Sequence, residues 1–368
     1  MGPMQRLLGI ISVFVIAVFL YLFYWPVAID PVAWNAPVDA GLVGVFEPNE
    51  RLRKARLIEL GFHEGPEDIA GGPDGRIYTA TRDGKVLRFD ASGENIEVFA
   101  ETGGRPLGLE FDATGNLLVA NAYAGLQRVT PDGTVTTLAD EYGGQAILYA
   151  DDVAVAADGK IYFSDASAKF GALKTGGSYE ASLMDLLEHG GHGRVFRHDP
   201  ASGETTLVID GLNFANGVAI SEDQQFLLIS ETGNYRVLRY WLAGPGAGKT
   251  DVVIDNLPGF PDNINNGLNG KFWIGLVAPR NKLLDDMSGK PWLRKLVQRL
   301  PAAVRPKAEP SSHVIAISGN GEVLMNLQDS SARLPALTGV FETTDALWLS
   351  TLFGVHTARL DKQDLANP

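Results

Sequence analysis

The sequence contains no cysteine, which excludes disulfide bonds, a thiol nucleophile and a zinc site built on thiolates. Basic residues are also few: 31 Lys and Arg stand against 44 Asp and Glu, and the formal net charge is −13. This balance argues against a nucleic-acid partner, since binding one requires a basic face. Neither a Gly-x-Ser-x-Gly nor a His-Glu-x-x-His motif occurs, so serine-hydrolase and zinc-peptidase mechanisms have no support.

One long hydrophobic run is present near the N-terminus. Residues 7–25 (LLGIISVFVIAVFLYLFYW) carry no charge, have about the 20 residues that span a bilayer, and end in aromatic residues. We therefore expect a single-pass membrane anchor in residues 1–28. Arg6 places the N-terminus in the cytoplasm and the rest of the chain on the periplasmic, lumenal or extracellular side. A cleaved signal peptide is the alternative. The lack of Asn-x-Ser/Thr sites favours a bacterial periplasm over a glycosylating lumen.

Beyond residue 50 one phrase recurs six times: a tight turn, a short β-rich run, a few polar residues and a second β-rich run. The six turns are Asp74-Gly75, Thr114-Gly115, Asp158-Gly159, Asp223-Gln224, Asn269-Gly270 and Asp345-Ala346. Short strands at a period of roughly 40–50 residues are typical of propeller blades. The sequence thus predicts an all-β, six-bladed β-propeller over residues 51–368, after a linker at 29–50. The residues before the first blade should close the last one. A β-sandwich is the alternative.

Two insertions interrupt the repeat, at about residues 166–193 and 281–310. The first contains a short helical stretch and a Gly-rich tip, whose His189 and His192 are either solvated loop residues or part of a lid. The second contains a basic amphipathic helix at 291–300. Its expected apolar face is Trp292, Leu293, Leu296, Val297 and Leu300, and its expected charged face is Arg294, Lys295 and Arg299. This helix packs either on its own propeller or on the membrane surface.

Equivalent positions in the six repeats carry oxygen-rich side chains. Eight residues before the second turn residue of each repeat stand Glu67, Leu107, Asp151, Asn216, Asp262 and Thr338. They begin the innermost strands, which surround the channel of a propeller, so we expect them to converge on its axis. Asp68, Asp152 and Asn263 are adjacent to three of them, and neither remaining position is Lys or Arg. Carboxylate and amide oxygens without His or Cys indicate an axial Ca²⁺ site, with Mg²⁺ or Mn²⁺ as alternatives.

Three segments carry a family resemblance: GRPLGLEFDATGNLLVANAYAGL, FANGVAISEDQQFLLISETGNYRVLRYWLAGP and DNLPGFPDNI. They resemble the strictosidine synthase-like family, which includes the adipocyte plasma membrane-associated proteins. More distantly they resemble the paraoxonases and the senescence marker protein/gluconolactonase group. The resemblance extends from about Glu64 to Leu360. It implies a six-bladed propeller whose axial calcium is held by Glu67, Asp151, Asn216, Asp262 and Asn263, and a possible second calcium at Asp68 and Asp152.

The chain departs from these relatives at catalytic positions. The paraoxonase histidine dyad would fall near Leu107 and Ala122, and the glutamate of plant strictosidine synthase would fall near Pro335. Alkaloid condensation is therefore the least supported activity. A disulfide common among relatives is also missing.

These observations together predict a membrane-anchored, calcium-dependent hydrolase of lactones or activated aryl esters. The metal would polarise the carbonyl and Asp262 would act as general base. The expected pocket wall consists of Leu107, Asn121, Tyr123, Thr338 and Phe353. The alternative is a tethered binding or scaffold propeller whose calcium is structural, since the fold supports both roles.

Overall fold

The computed structural model, which describes residues 2–305 and 307–366, consists of six four-stranded antiparallel sheets arranged as the blades of a propeller. The predicted six-bladed fold is confirmed. From the innermost strand outward, the first blade consists of Ile69–Gly71, Ile77–Thr81, Lys85–Phe89 and Glu97–Glu101. The second consists of Pro106–Phe111, Leu117–Asn121, Gly125–Val129 and Val135–Ala139. The third consists of Ala150–Val155, Ile161–Asp165, Gly193–Asp199 and Glu204–Leu212. A small hairpin, Glu141–Tyr142 and Gln145–Ala146, precedes the third blade.

The other blades complete the ring. The fourth consists of Ala215–Ile220, Phe226–Glu231, Arg236–Trp241 and Thr250–Ile254. The fifth consists of Gly259–Asn266, Lys271–Pro279, Ser312–Ser318 and Val323–Asp329. The sixth consists of Leu337–Glu342, Ala346–Thr351, His356–Asp361 and Arg56–Glu59. The last strand comes from the start of the propeller and pairs antiparallel with His356–Asp361, with Arg56 opposite Arg359. The predicted closure of the final blade by residues preceding the first is thus confirmed.

The blades are held together by apolar side chains between neighbouring sheets. In four of the six blades the second strand is buried along its whole length, as in Ile77–Thr81 and Ala346–Thr351, because both of its faces meet another sheet. These strands are rich in Ile, Leu, Val and aromatic residues, which suit a pleated surface covered on both sides. Phe163 and Phe196 of the third blade, for example, pack in one cluster with Leu118 of the second.

The two insertions form helices where the sequence placed them. The first contains α2 (Ala172–Thr175) and α3 (Ser178–Glu188), and the second contains α4 (Lys282–Asp286) and α5 (Pro291–Arg299). Short 3-10 turns lie at Gly44–Phe46, Thr232–Asn234, Gly244–Gly246, Leu268–Gly270 and Ala302–Val304. The first helix of the described residues is α1 (Pro3–Tyr24), and the last is α6 (Lys362–Ala366).

The predicted division of α5 into an apolar and a charged face holds only in part. Val297 of the apolar face is buried, but Trp292 of the same face is 59% exposed, and Arg294 of the charged face is fully buried. The guanidinium of Arg294 donates hydrogen bonds to the carbonyls of Leu187 (3.1 Å), Glu188 (3.2 Å), Ser288 (2.9 Å) and Val32. The first two are carbonyls at the C-terminal end of α3, which carry partial negative charge. Periodicity alone could not reveal this partner.

The segment at 29–50, predicted to be a linker, lies against both insertions. Ile29 is fully buried, and the backbone N–H of Asp30 donates to Glu188 Oε2 at 2.7 Å. Trp34 stacks on His189 with ring centroids 3.9 Å apart. His189 is therefore a buried side chain, and burial, with nearby Arg294, lowers its pKa to about 3. His192 bonds to Glu188 at 2.6 Å.

The helix α1 is the one helix in the described chain that is long and apolar enough to cross a membrane, which suits an anchor or a signal sequence. No residue along it is buried. Its C-terminal end meets α5: Tyr21 Oη donates to the carbonyl of Arg299 at 2.9 Å. In return the Arg299 guanidinium donates to the carbonyls of Trp25 (2.6 Å) and Leu22 (3.0 Å).

Candidate functional site

The equivalent positions of the repeat coincide with β-bulges. In blades two to six the pairing of the innermost strand shifts between two residues: Pro106/Leu109, Ala150/Val153, Ala215/Val218, Pro261/Ile264 and Leu337/Val340. Leu107, Asp151, Asn216, Asp262 and Thr338 lie within these shifts, and Glu67 lies two residues before its strand. A bulge bends the strand and redirects a side chain. In blades two to five the residue within the bulge lines one cavity at the end of the channel, and Glu67 of blade one lines the same cavity.

Four of the predicted ligands come together. Glu67, Asp151, Asn216 and Asp262 line the floor of one cavity, and none is more than 5% exposed. The amide Nδ2 of Asn216 donates to Asp262 Oδ1 at 2.5 Å. Residues from blades one, three, four and five, nearly 200 positions apart in sequence, therefore form one polar cluster in an otherwise buried region.

Two further residues hold the backbone of this cluster. Asn263 Nδ2 donates to the carbonyl of Glu67 at 3.2 Å, and Thr338 Oγ1 donates to the same carbonyl at 2.5 Å. Both side chains are fully buried. They fix the position of Glu67, and the free Oδ1 of Asn263 remains available as an oxygen ligand.

Burial and mutual repulsion disfavour the ionised form of the carboxyl groups in this cluster. Burial, followed by repulsion from Asp262 and Asp151, raises the pKa of Glu67 well above its ordinary value. Burial and repulsion from Asp262 do the same to the pKa of Asp151. Burial raises the pKa of Asp262 to about 7, although the bond from Asn216 lowers it. Three carboxylates in this setting require either protons or a cation.

Arg105 is a site residue that sequence reasoning missed. It is 2% exposed, and its charge lowers the pKa of both Glu67 and Asp151. Its Nη1 donates to the carbonyl of Gly65 at 3.0 Å. It stands two residues before Leu107, so examining only the equivalent positions overlooked it. A search for basic residues within two positions of the equivalent residues would have found it.

The donor atoms fit a hard cation. Among residues 2–305 and 307–366, no three His, Cys, Asp or Glu side chains lie close enough together to form a metal group by themselves. Glu67, Asp151 and Asp262 therefore do not form such a group alone, and the candidate set adds the amides of Asn216 and Asn263. Glu67 Oε2, Asp151 Oδ2, Asn216 Oδ1 and Asn263 Oδ1 are all buried without a hydrogen-bond partner. Buried oxygens without donors are costly, and Ca²⁺ accepts such a mixed oxygen set.

Asp68 and Asp152, for which a second metal site stays a prediction, form hydrogen bonds between neighbouring blades. Asp68 Oδ2 accepts a hydrogen bond from the N–H of Leu109, and Asp152 Oδ2 accepts one from the N–H of Val218, both at 2.8 Å. Asn265 Oδ1 likewise accepts from the N–H of Val340 at 3.0 Å. Each bond joins an odd-numbered blade to the next blade. These side chains are clamps between blades, and none of their oxygens is a buried atom without a partner.

The cluster lies at the floor of a cavity of about 610 Å³. Apolar side chains dominate its wall, among them Leu107, Tyr149, Phe214, Phe260 and Phe353. The two insertions supply a large part of the remaining wall, through α3, α4, α5 and the residues after α5. The sequence predicted the insertions without indicating that they roof the site.

Two of the five predicted wall residues, Leu107 and Phe353, line the cavity, and three do not among the residues described. Asn121 is fully buried, and its side chain bonds the N–H of Arg105 (3.0 Å) and the carbonyl of Gly103 (2.6 Å). The hydroxyl of Thr338 donates a hydrogen bond to the carbonyl of Glu67. Tyr123 packs against the neighbouring apolar cluster. Their positions in the repeat were right, but local hydrogen bonds and packing turn them away from the cavity.

Family models match two parts of the chain: a strictosidine synthase model at residues 151–245 and a strictosidine synthase-like N-terminal model at residues 44–89. The chain is 33% identical to an adipocyte plasma membrane-associated protein of Salmo salar, over 86% of this chain and 80% of that protein. It is also 33% identical to the protein Strictosidine synthase-like 13 of Arabidopsis thaliana, over 80% of this chain and 77% of that protein.

Solved structures share the fold at low sequence identity. A gluconolactonase from Xanthomonas campestris superposes with a TM-score of 0.61 and 18% identity, covering 83% of this chain and 89% of its own. A calcium-binding protein, regucalcin, from Agrobacterium tumefaciens superposes with a TM-score of 0.56 and 14% identity, covering 83% and 92%. The sequence relatives are decisive where these structures show the fold alone: the chain belongs to the strictosidine synthase-like family, together with the adipocyte plasma membrane-associated proteins.

Proposed function

We propose that this protein is a membrane-anchored, calcium-dependent hydrolase of lactones or activated esters. One observation carries the proposal: three buried oxygens without hydrogen-bond partners, Glu67 Oε2, Asp151 Oδ2 and Asn216 Oδ1, belong to side chains that line a largely apolar cavity. The gluconolactonase likeness in fold is consistent with such chemistry. A site that combines raised carboxyl pKa values with a cavity is a functional-site candidate on physical grounds.

The residues that would hold the cation are Glu67, Asp151, Asn216, Asp262 and Asn263, and the regucalcin likeness supports calcium. A bound divalent cation supplies Lewis-acid polarisation of a carbonyl oxygen and stabilises the negative charge that develops there. Arg105 lies beside the same carboxylates and offsets part of their charge.

The protein's own groups divide the remaining tasks. Asp262 accepts the proton of the attacking water, and Asn216 orients its carboxylate through the 2.5 Å bond to Oδ1. Leu107, Phe214 and Phe260 bind the apolar part of the substrate and exclude water. The walls favour an acyl lactone or aryl ester over a sugar lactone, because most of the exposed surface of the cavity is apolar.

The anchor in this proposal is α1, with its N-terminus in the cytoplasm and the propeller on the periplasmic or lumenal side. Arg6 precedes the helix, and positive residues flank the cytoplasmic end of membrane spans. Fusing a reporter active only outside the cytoplasm to the C-terminus tests this orientation. If a C-terminal reporter that is active only in the cytoplasm shows activity, the propeller lies in the cytoplasm and the proposed orientation is reversed.

A turnover assay tests the chemistry. Hydrolysis of aryl esters and long-chain acyl lactones is followed by pH-stat for the full chain in nanodiscs, with calcium or with chelator. We expect turnover with calcium, loss with chelator, and a fall of about 100-fold or more for Asp262→Asn, the scale of a lost general base. The control is Asp158→Asn, in an exposed turn at the far end of the third blade.

Full turnover in Asp262→Asn would refute the assigned base, and full turnover in chelator would refute the cation. The scaffold alternative predicts a different pattern. No ester or lactone would be turned over, while calcium would still raise the melting temperature.

A further inference from the structure

The second insertion carries charge opposite to the rest of the chain. Residues 281–310 contain seven cations and three acids, a net of +4 in a chain of net −13. The cations are Lys282, Lys290, Arg294, Lys295, Arg299, Arg305 and Lys307, and the acids are Asp285, Asp286 and Glu309. Arg294 is buried, whereas Lys290 is exposed and the Lys282 side chain is 87% exposed, although its ammonium pairs with Asp286 at 2.8 Å. A surface of this sign suits an anionic partner.

This insertion adjoins the exit of α1. Arg299 contacts Tyr21, Leu22 and Trp25 through three hydrogen bonds. If α1 spans a bilayer, the aromatic residues Tyr21 and Trp25 mark its headgroup boundary. Arg299 then lies at that boundary. The start of α5 at Pro291 is only about 12 Å away, since a helix rises about 1.5 Å per residue.

Large apolar side chains project from the same insertion. Trp292 is 59% exposed, Val304 is 63% exposed and Leu283 is 47% exposed. Exposed apolar side chains interspersed with Lys and Arg are the composition of a surface that lies in a membrane interface. Their neighbours Val297, Ala302 and Ala303 line the cavity. The rim of the cavity and the cationic surface are therefore parts of one segment.

We propose that residues 281–305 form a membrane-docking surface that binds anionic lipid headgroups and holds the cavity rim against the bilayer. The proposal rests on α1 being a membrane span, but not on hydrolysis. Joined to the proposed function, it assigns the substrate class: an amphiphilic ester or lactone that partitions into the membrane and reaches the cavity from the lipid side.

The absence of cysteine makes the test direct, because one introduced cysteine takes a fluorophore at one site. Full-length Trp292→Cys and Val304→Cys are labelled and placed in nanodiscs containing nitroxide lipids, with the nitroxide near the headgroup or near the chain end. The bilayers are phosphatidylcholine alone or with phosphatidylglycerol. Ile16→Cys, in the middle of α1, reports a span, and Ala201→Cys, in an exposed turn between the outer strands of the third blade, reports a surface away from lipid.

We expect labels at 292 and 304 to be quenched by the shallow nitroxide, more strongly in the anionic bilayer. The double variant Lys282→Gln/Lys290→Gln should lose that lipid preference. If the label at 16 is quenched but the labels at 292 and 304 are quenched no more than the label at 201, the docking surface is overturned. That result would hold equally for a surface exposed to solvent and for one covered by another protein or a second copy of this chain. An unquenched label at 16 would overturn both the span and the docking. Neither result bears on turnover, which is measured separately.

Discussion

Replacing Asp262 by Asn should stabilise the protein without calcium and abolish its response to calcium. Burial raises the pKa of Asp262 to about 7 from the ordinary 3.8. A raised pKa means that the folded state disfavours the ionised carboxyl, so its cost grows as pH rises from 3.8 and is complete above 7. The shift corresponds to about 4 kcal/mol at about 1.4 kcal/mol per unit. The amide keeps the bond from Asn216 but is itself polar, which leaves a gain of about 2 kcal/mol.

Thermal unfolding of the full chain in nanodiscs at about pH 8 measures this. For a domain of this size 1 kcal/mol corresponds to roughly 1.5 °C, so in chelator the variant should unfold about 3 °C higher than the parent protein. Calcium at 100 times its dissociation constant should stabilise the parent by about 2.7 kcal/mol, or about 4 °C, and the variant by little. Asp158→Asn should retain the full calcium shift.

Two results would refute this reasoning. If Asp262→Asn unfolds below the parent protein in chelator, its carboxylate is not an uncompensated charge in the fold. If the variant keeps the full calcium shift, the ion binds elsewhere.

Three further predictions concern stability. Gly108→Ala should lower the unfolding free energy by about 1–3 kcal/mol, because an added Cβ would meet Asp152 Oδ1 at 2.4 Å, whereas Gly289→Ala, with open space around it, should change little in the same denaturant titration. Arg294→Leu leaves several buried carbonyls without a donor, so limited proteolysis should cut the second insertion while the blades remain intact; unchanged resistance would contradict the role given to Arg294. Burial lowers the pKa of His313 to about 4, below its ordinary 6.5, so unfolding free energy should fall as pH drops from 6.5 toward 4, and a His313→Gln variant should show a shallower fall.

The sequence predicted the fold well because its signals were local and repeated. Turn residues and short β-rich runs recur six times, and each copy confirms the phase of the others. The same phase located Glu67, Asp151, Asn216 and Asp262 without knowledge of their contacts, since symmetry converts equal positions in the repeat into one position in space. Blade closure followed from the need to remove an open edge.

The parts that sequence could not supply depend on contacts between unrelated segments. Arg294 is buried because carbonyls from α3 and from the 29–50 segment surround it, and no helical period contains that information. Arg105 lies outside the repeat positions yet acts on their charges. Asn121 and Thr338 occupy plausible wall positions but are held away by hydrogen bonds to Arg105 and Glu67.

A crystal structure grown with calcium tests the central claim most directly. The account predicts one ion on the propeller axis, with oxygens of Glu67, Asp151, Asn216 and Asp262 within about 2.3–2.6 Å of it. An axis without an ion at saturating calcium, or an ion bound away from these four side chains, would contradict it.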